Sequence, residues 1–244
     1  MQELINNLGL EASSKIDKKL FKKQFTENFS LSVADKKILT NDIESITLEY
    51  LLNKNTINIA PYTDAEQDYS EIAFIKVEVL NSNKLGQITS IVQNIPYPLI
   101  IFLACGTKFC INISPKRINK SDSSKLVVQE SHFSEWIEMQ NHSKIEDTFL
   151  ESLKAKHHPY TDLLAFFTSY LDKLIAFNAS KYSGSLNPHA NTKEILQNIQ
   201  SVEAKITEAK SKIKKETSFS AKVNMNIELK KLSDELEKLK GKLV

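Results

Sequence analysis

Apolar residues recur along the chain in three regimes, and each predicts a different kind of structure. From residue 15 to about 53 they fall at helical spacing. Ile16, Leu20, Phe21 and Phe25 lie between lysines, which predicts a short basic amphipathic helix over 15–29. Ser32 followed by Asp35 is a capping signal, since a hydroxyl and a carboxylate at that spacing satisfy each other's backbone N–H groups. It opens a second helix running to about Asn53, with Ile38, Leu39, Ile43, Ile46 and Tyr50 as its apolar stripe.

The second regime is short and dense. Residues 56–60 and 71–80 read as strands, the latter with apolar residues on both faces (Ile72 and Phe74; Ala73, Ile75, Val77 and Val79), as an interior strand requires. A helix over 83–94 turns Leu85, Ile88, Ile91 and Val92 inward, and 98–105 reads as a fully buried strand, completing a strand-helix-strand crossover. Gly106-Thr107-Lys108 is a hairpin turn into 109–114, and 125–130 supplies a further strand. The fold class expected is α/β (α+β), with a mixed sheet of four or five strands flanked by helices. Two more helices follow over 144–180, broken near His157-His158-Pro159, a pair expected in a solvated loop, and Trp136 before them reads as a core anchor.

The third regime is heptad-like. Ile195, Ile199, Val202, Ile206, Ala209 and Ile213 form one 4,3 run, and Met225, Leu229, Leu232, Leu236, Leu239 and Leu243 form another. The runs lose phase between Lys214 and Val223, so the chain is expected to reverse there, placing Phe219 and Val223 with the coiled-coil residues. A parallel homodimeric coil is the rival. The division expected is a body over 1–182, a linker of turn-forming residues over 183–191 and a C-terminal coiled-coil hairpin over 192–244.

Charge changes this picture only locally. The net charge of +2 creates no field that would announce nucleic acid or an anionic membrane. Residues 192–244, however, carry 12 lysines against 8 acidic groups, so the excess of positive charge sits in the hairpin. The longest apolar run is far shorter than the roughly 20 residues that span a bilayer. Two cysteines and the absence of a leader-like start set the expectation of a reducing cytoplasm.

No complete catalytic motif emerges. Cys105 and Cys110 flank a hairpin turn without further Cys or His at zinc spacing, so they read as small apolar residues, and no metal or cofactor is expected. Phosphate-binding glycine patterns and a G-x-S-x-G elbow are missing from a chain with five glycines. Lys76 and Glu78 share one face of a strand and, with Glu71 or Asp68, could imitate the carboxylate-plus-lysine cluster with which restriction-type nucleases hold Mg²⁺, although the acidic residue follows the lysine instead of preceding it. Candidate phosphate contacts are Lys18, Lys19, Lys22 and Lys23; Lys116 and Arg117; and Lys212, Lys214, Lys215 and Lys222.

Several segments resemble an uncharacterised prokaryotic family known only as a domain of unknown function. They are Leu20-Phe21, residues 46–59 (ITLEYLLNKNTINI), residues 95–102 (IPYPLIIF) with the hairpin after them, and residues 215–229 (KETSFSAKVNMNIEL), where Glu216, Phe219, Lys222, Val223, Asn226 and Glu228 match and Ser220 and Ala221 depart from the family's more basic pattern. The resemblance implies a setting beside helicases and DNA methyltransferases in restriction-like or antiphage gene clusters, and it carries no catalytic residue across. The expected function is a non-catalytic interaction subunit of a DNA-targeting assembly docking on a helicase-like partner. The alternatives are a Mg²⁺-dependent restriction-type nuclease and a homodimeric scaffold.

Overall fold

A computed structural model describes residues 1–187 and 191–243. Pro188, His189 and Ala190 of the expected linker therefore lie outside the described residues. In chain order the elements of the first part are α1 (Gln2–Asn6), β1 (Lys15–Lys19), α2 (Lys22–Asn28), α3 (Val33–Asn41), β2 (Ile43–Asn53), β3 (Tyr62–Thr63), β4 (Asp68–Tyr69) and β5 (Glu71–Val79). There follow α4 (Leu85–Val92), β6 (Leu99–Cys105), β7 (Lys108–Ser114), β8 (Lys116–Asn119), β9 (Asp122–Val128), β10 (His132–Phe133), β11 (Ile137–Glu138) and α5 (Lys144–Ser152). The chain closes with α6 (Leu163–Ser183), α7 (Thr192–Lys215) and α8 (Phe219–Lys240). Contacts divide it inside α6, between Leu174 and Ile175, into two compact units.

The first unit is built on a mixed seven-stranded sheet in the order β1-β2-β5-β6-β7-β10, with β11 also paired to β7. Only β5 and β6 run parallel, joined through α4 as the crossover predicts. Both are buried on two faces: Ile72, Ala73, Phe74, Ile75, Val77 and the run from Leu99 to Leu103 have lost all contact with solvent. One face carries Ile43, Ile46, Ile75, Val77, Ile101 and Leu103 under α3 and α4. On the other, Phe74 meets Tyr50 and the α6 residue Tyr170 edge-on, at ring centroid distances of 6.3 and 5.6 Å. The β6–β7 hairpin turns at Gly106, whose φ of 59° suits the first position of a two-residue loop.

The amino-terminal third departs from expectation. The Ser32–Asp35 box forms, and Asp42 ends α3 after nine residues instead of letting the helix continue to Asn53. Residues 43–53 are a strand because they find β1 on one side and β5 on the other. Cross-strand pairing outweighs the helical propensity of a segment that carries three Leu and two Glu beside its two Ile, one Thr and one Tyr. Two bulges in β2, at Glu44 and Glu49, place Ile43 with Ile46 and Leu48 with Leu51 toward one core, and this imitates a helical period.

The expected helix over 15–29 is likewise split. Lys15–Lys19 is the exposed edge strand β1, and only Lys22–Asn28 is helical. Three lysines and a bulge at Asp17, with φ of 47°, suit an edge that must not recruit another strand. Residues 56–60 form turns with a single bridge at Ala60 instead of a strand, and β9 pairs with β8 in a separate hairpin instead of extending the main sheet. Trp136 packs partly buried against the core.

His158 is buried, contrary to the solvated loop expected for the histidine pair; His157 alone stays partly open, 3.5 Å from Glu151. The His158 ring stacks on Tyr170 at 3.7 Å and 8°, with Nδ1 3.1 Å from Ser169 Oγ. Burial, reinforced by Lys173, pulls its pKa down to about 3. A group whose folded pKa is depressed stabilises the fold above its unfolded value near 6.5 and loses that contribution as pH falls toward 3. The unfolding free energy should therefore drop by about 1.5 kcal/mol between pH 6.5 and roughly pH 5, where carboxylates still contribute little. Urea midpoints of the wild type and His158→Phe at both pH values check this, the variant showing little change.

The second unit comprises the end of α6 with α7 and α8. A three-residue turn at 216–218 reverses the chain, and Glu216 accepts backbone N–H bonds from Thr217 and Ser218 at 2.8 Å each. Ile199, Val202 and Ile206 are buried, together with Leu196, while Ile195, Ile213, Leu229, Leu232, Leu236 and Leu239 are half-buried. The small Ala209 leaves a crevice of about 490 Å³ lined also by Met225 and Leu232. Near the other end, Lys240 Nζ lies 5.9 Å from the Tyr182 ring centroid.

Candidate functional site

One face of β5 changes character halfway along its length. Ile72 and Phe74 are apolar, but the next residues on that face are Lys76 and Glu78. Ions in a central strand must be neutralised close by, because the loss of hydration is large. Lys76, with 14% of its side chain exposed, has its Nζ 3.7 Å from Glu49 Oε1, 3.5 Å from Glu78 Oε1 and 2.8 Å from Gln2 Oε1. Glu49 is 1% exposed, and its Oε2 accepts a 2.9 Å hydrogen bond from Gln2 Nε2.

Glu49 reaches this place because it is the extra residue of the second β2 bulge. Leu48 pairs with Ile75 and Tyr50 with Phe74, so Glu49 and Tyr50 both turn to the Lys76 side. Sequence reasoning missed Glu49 and Gln2, and the one available signal is a glutamate amid the apolar run Leu48, Tyr50, Leu51 and Leu52. Glu71, by contrast, sits on the opposite face near the start of β5, where its Oε1 accepts from Asn53 Nδ2 at 3.0 Å. The expected grouping of Glu71 with Lys76 and Glu78 is thus corrected to Glu49, Lys76 and Glu78.

This node balances charge around one ammonium. Glu78 Oε2 accepts a 2.5 Å hydrogen bond from Ser45, and that bond, ahead of the Lys76 charge, holds its carboxyl below the ordinary glutamate range. Glu78 is accordingly an acceptor near neutrality, not a proton donor. A divalent cation between the two carboxylates would have to displace Lys76. Among the described residues no group of three or more His, Cys, Asp or Glu side chains converges.

The candidate phosphate-contacting residues have unequal fates. Lys18 and Lys19 are exposed on β1. Lys22 donates to the carbonyls of Thr40 and Ile43 and so closes the end of α3, while Lys23 pairs with Glu27 at 3.5 Å. Arg117 Nη1 donates to the Ile118 carbonyl at 3.1 Å. Lys116 is withdrawn altogether: it is buried, and its Nζ donates to the carbonyls of Gln93 and Ile95 at 2.8 and 2.7 Å. It holds the α4–β6 connection in place and meets no solvent.

Burial lowers the Lys116 pKa to about 7. The unfolded chain then binds more protons than the folded one above that value, so stability rises with pH. An increase of about 1.5 kcal/mol is expected between pH 7 and roughly pH 8.5, a window kept below pH 9 because burial also pushes the Cys110 thiol up to about 12. Urea midpoints at the two pH values test this. Lys116→Met, less stable for leaving two carbonyls without their donor, should lack the rise.

In the second unit, α8 presents two apolar faces. Met225, Leu229, Leu232 and Leu236 are half-buried and form its seam. Phe219, Val223 and Ile227 lie roughly 150° around the helix from that seam and are 82%, 42% and 52% exposed. Phe219 and Val223 therefore do not belong with the seam residues as the sequence suggested. Lys214 and Lys215 are exposed at the same end of the hairpin, Lys222 is half-buried, and Lys212 pairs with Glu208 at 2.8 Å. No helix among the described residues is long and apolar enough to cross a membrane.

Residues 8–236 match the model of a family described as a domain of unknown function (DUF4391). No curated protein and no solved structure matches the chain.

Proposed function

The chain belongs to the DUF4391 family, and from that premise we propose that it is a non-catalytic interaction subunit that works through the α7–α8 hairpin. The observation that carries this reading is the outward face of α8, where Phe219, Val223 and Ile227 stand in solvent. Single exposed apolar residues are ordinary, but three at helical spacing on one face, with the largest open, suit a surface that another protein covers. The DNA-targeting setting and the helicase-like partner come from the family resemblance. Exposed Lys18, Lys19, Lys214 and Lys215 are compatible with an assembly that also meets phosphates.

The test is co-elution of the full-length chain with the helicase-like protein encoded nearest to its gene, with and without duplex DNA. A complex of defined mass is expected, and separate elution under both conditions contradicts the reading.

A second reading has one observation in its favour, the node of Glu49, Lys76 and Glu78 across the neighbouring strands β2 and β5. If it were a nuclease site, the purified chain would cleave duplex DNA with Mg²⁺, and Glu78→Ala, a change at a partly exposed residue, would abolish cleavage. A homodimeric scaffold would show twice the monomer mass by light scattering in the absence of any partner.

A further inference from the structure

The outward face of α8 has a chemistry that narrows what can cover it. Phe219, Val223 and Ile227 succeed one another at four-residue steps and span about 12 Å along the axis. Lys230, seven residues after Val223, continues the same face. Between Ala209 and Lys231 the sequence places seven lysines and only two glutamates, Glu216 and Glu228. Of those lysines only Lys212 has an ion pair among the described residues. Glu216 is occupied with the turn: N–H bonds from Ser218 and Thr217, then the Lys222 charge, hold its carboxyl below the usual glutamate range.

We propose that this face, Phe219, Val223 and Ile227 with Lys230 further along α8 and Lys214 and Lys215 at the turn end of the hairpin, is a docking surface for an acidic amphipathic helix of a partner protein. The proposal rests on the interaction-subunit reading and specifies the partner's chemistry. Apolar anchors at helical spacing fit a helix laid along a helix, with side chains at i, i+3 or i+4 and i+7 filling the gaps. The lysines supply electrostatic complementarity to glutamates and aspartates flanking such anchors. A second copy of this chain is a poorer occupant. It would bring lysine-rich ends together. Nucleic acid would use the lysines but has no use for an aliphatic and aromatic stripe without planar stacking partners in series.

The probe is a fluorescein-labelled helical peptide with leucines on one face and glutamates elsewhere, compared with the same peptide carrying lysines in place of the glutamates. Binding to the full-length chain is read by fluorescence anisotropy at low and high salt. The acidic peptide should bind and the basic one should not. The triple variant Phe219→Ser, Val223→Ser, Ile227→Ser should weaken binding at least about tenfold, and Lys214→Glu, Lys215→Glu, Lys230→Glu should remove most of the salt dependence. All six side chains face solvent or lie half-exposed, and circular dichroism checks that the variants stay folded. Equal binding of the acidic peptide to wild type and the serine variant overturns the proposal, as does equal binding of the basic peptide or no binding at all. Dimerisation of the wild type that the serine variant loses assigns the surface to a second copy and overturns it as well. If the helicase-like protein still co-elutes while the peptide ignores the stripe, this inference fails and the interaction-subunit reading stands. If the peptide binds through the stripe but the helicase-like protein never co-elutes, the reverse holds.

Discussion

Lys76→Met should lower the unfolding free energy of the first unit by about 3–5 kcal/mol, the cost of leaving a buried charge without its partner. Glu49 would keep its hydrogen bond from Gln2 Nε2, but its Oε1, which makes no hydrogen bond and faces Lys76 at 3.7 Å, would have nothing to offset its lost hydration. Glu49→Leu should cost less, because the Lys76 ammonium would retain Glu78 at 3.5 Å and Gln2 at 2.8 Å. The double variant Glu49→Leu, Lys76→Met should recover most of the loss, since an apolar pair of similar volume can replace a buried ion pair at little cost. Trp136, the only tryptophan, lies in the first unit and reports its unfolding in urea by fluorescence. A nuclease site predicts a different pattern, in which the double variant is as inactive as either single one however stable it becomes. The cycle therefore separates a structural node from a catalytic one.

Phe74→Ala should cost a comparable amount, about 3–5 kcal/mol, through lost transfer free energy and the cavity left behind. Phe74 is fully buried and holds β5 to two neighbours at once, meeting Tyr50 of β2 and Tyr170 of α6 edge-on with interplanar angles of 79°. Tyr170 in turn donates to the Leu153 carbonyl at 2.7 Å and lies against His158, so a cavity there loosens the packing of α6 on the sheet. Phe74→Leu, which keeps most of the volume, should lose less than half as much. A fall in melting temperature of roughly 10 °C for the alanine variant, against a few degrees for leucine, is the calorimetric counterpart.

These two positions differ in how far the sequence disclosed them. The strand holding Phe74 was legible because β5 and β6 are buried on both faces and consist of dense apolar runs that no other arrangement accommodates. The crossover through α4 and the β6–β7 hairpin were legible for the same reason, helped by Gly106 at the turn. The α7–α8 hairpin followed from two heptad runs out of phase with each other. Glu49 was illegible, because its position depends on a bulge, and bulges break the alternation from which a strand is recognised. The same two bulges made β2 read as the continuation of α3, with no glycine or proline after Asn41 to announce the end of that helix. The burial of Lys116 was equally hidden, since a lysine that seals two carbonyls inside the fold is written with the same letter as one in solvent. β10 and β11, of two residues each, are too short for any periodicity. Phe219 and Val223 were expected among the coiled-coil residues and stand instead on the outward face of α8. Their register follows from the half-buried seam further along α8, Leu229 and Leu232, and not from the turn that precedes them.

In the proposed reading, recognition belongs to the outward face of α8 and the Glu49–Lys76–Glu78 node is structural. Hydrogen–deuterium exchange of the full-length chain, alone and in the presence of the helicase-like protein, tests both halves together. Added protection concentrated in peptides covering residues 216–231 is the predicted result. Protection that instead appears in β2 and β5 around Glu49, Lys76 and Glu78, with residues 216–231 unchanged, would contradict it.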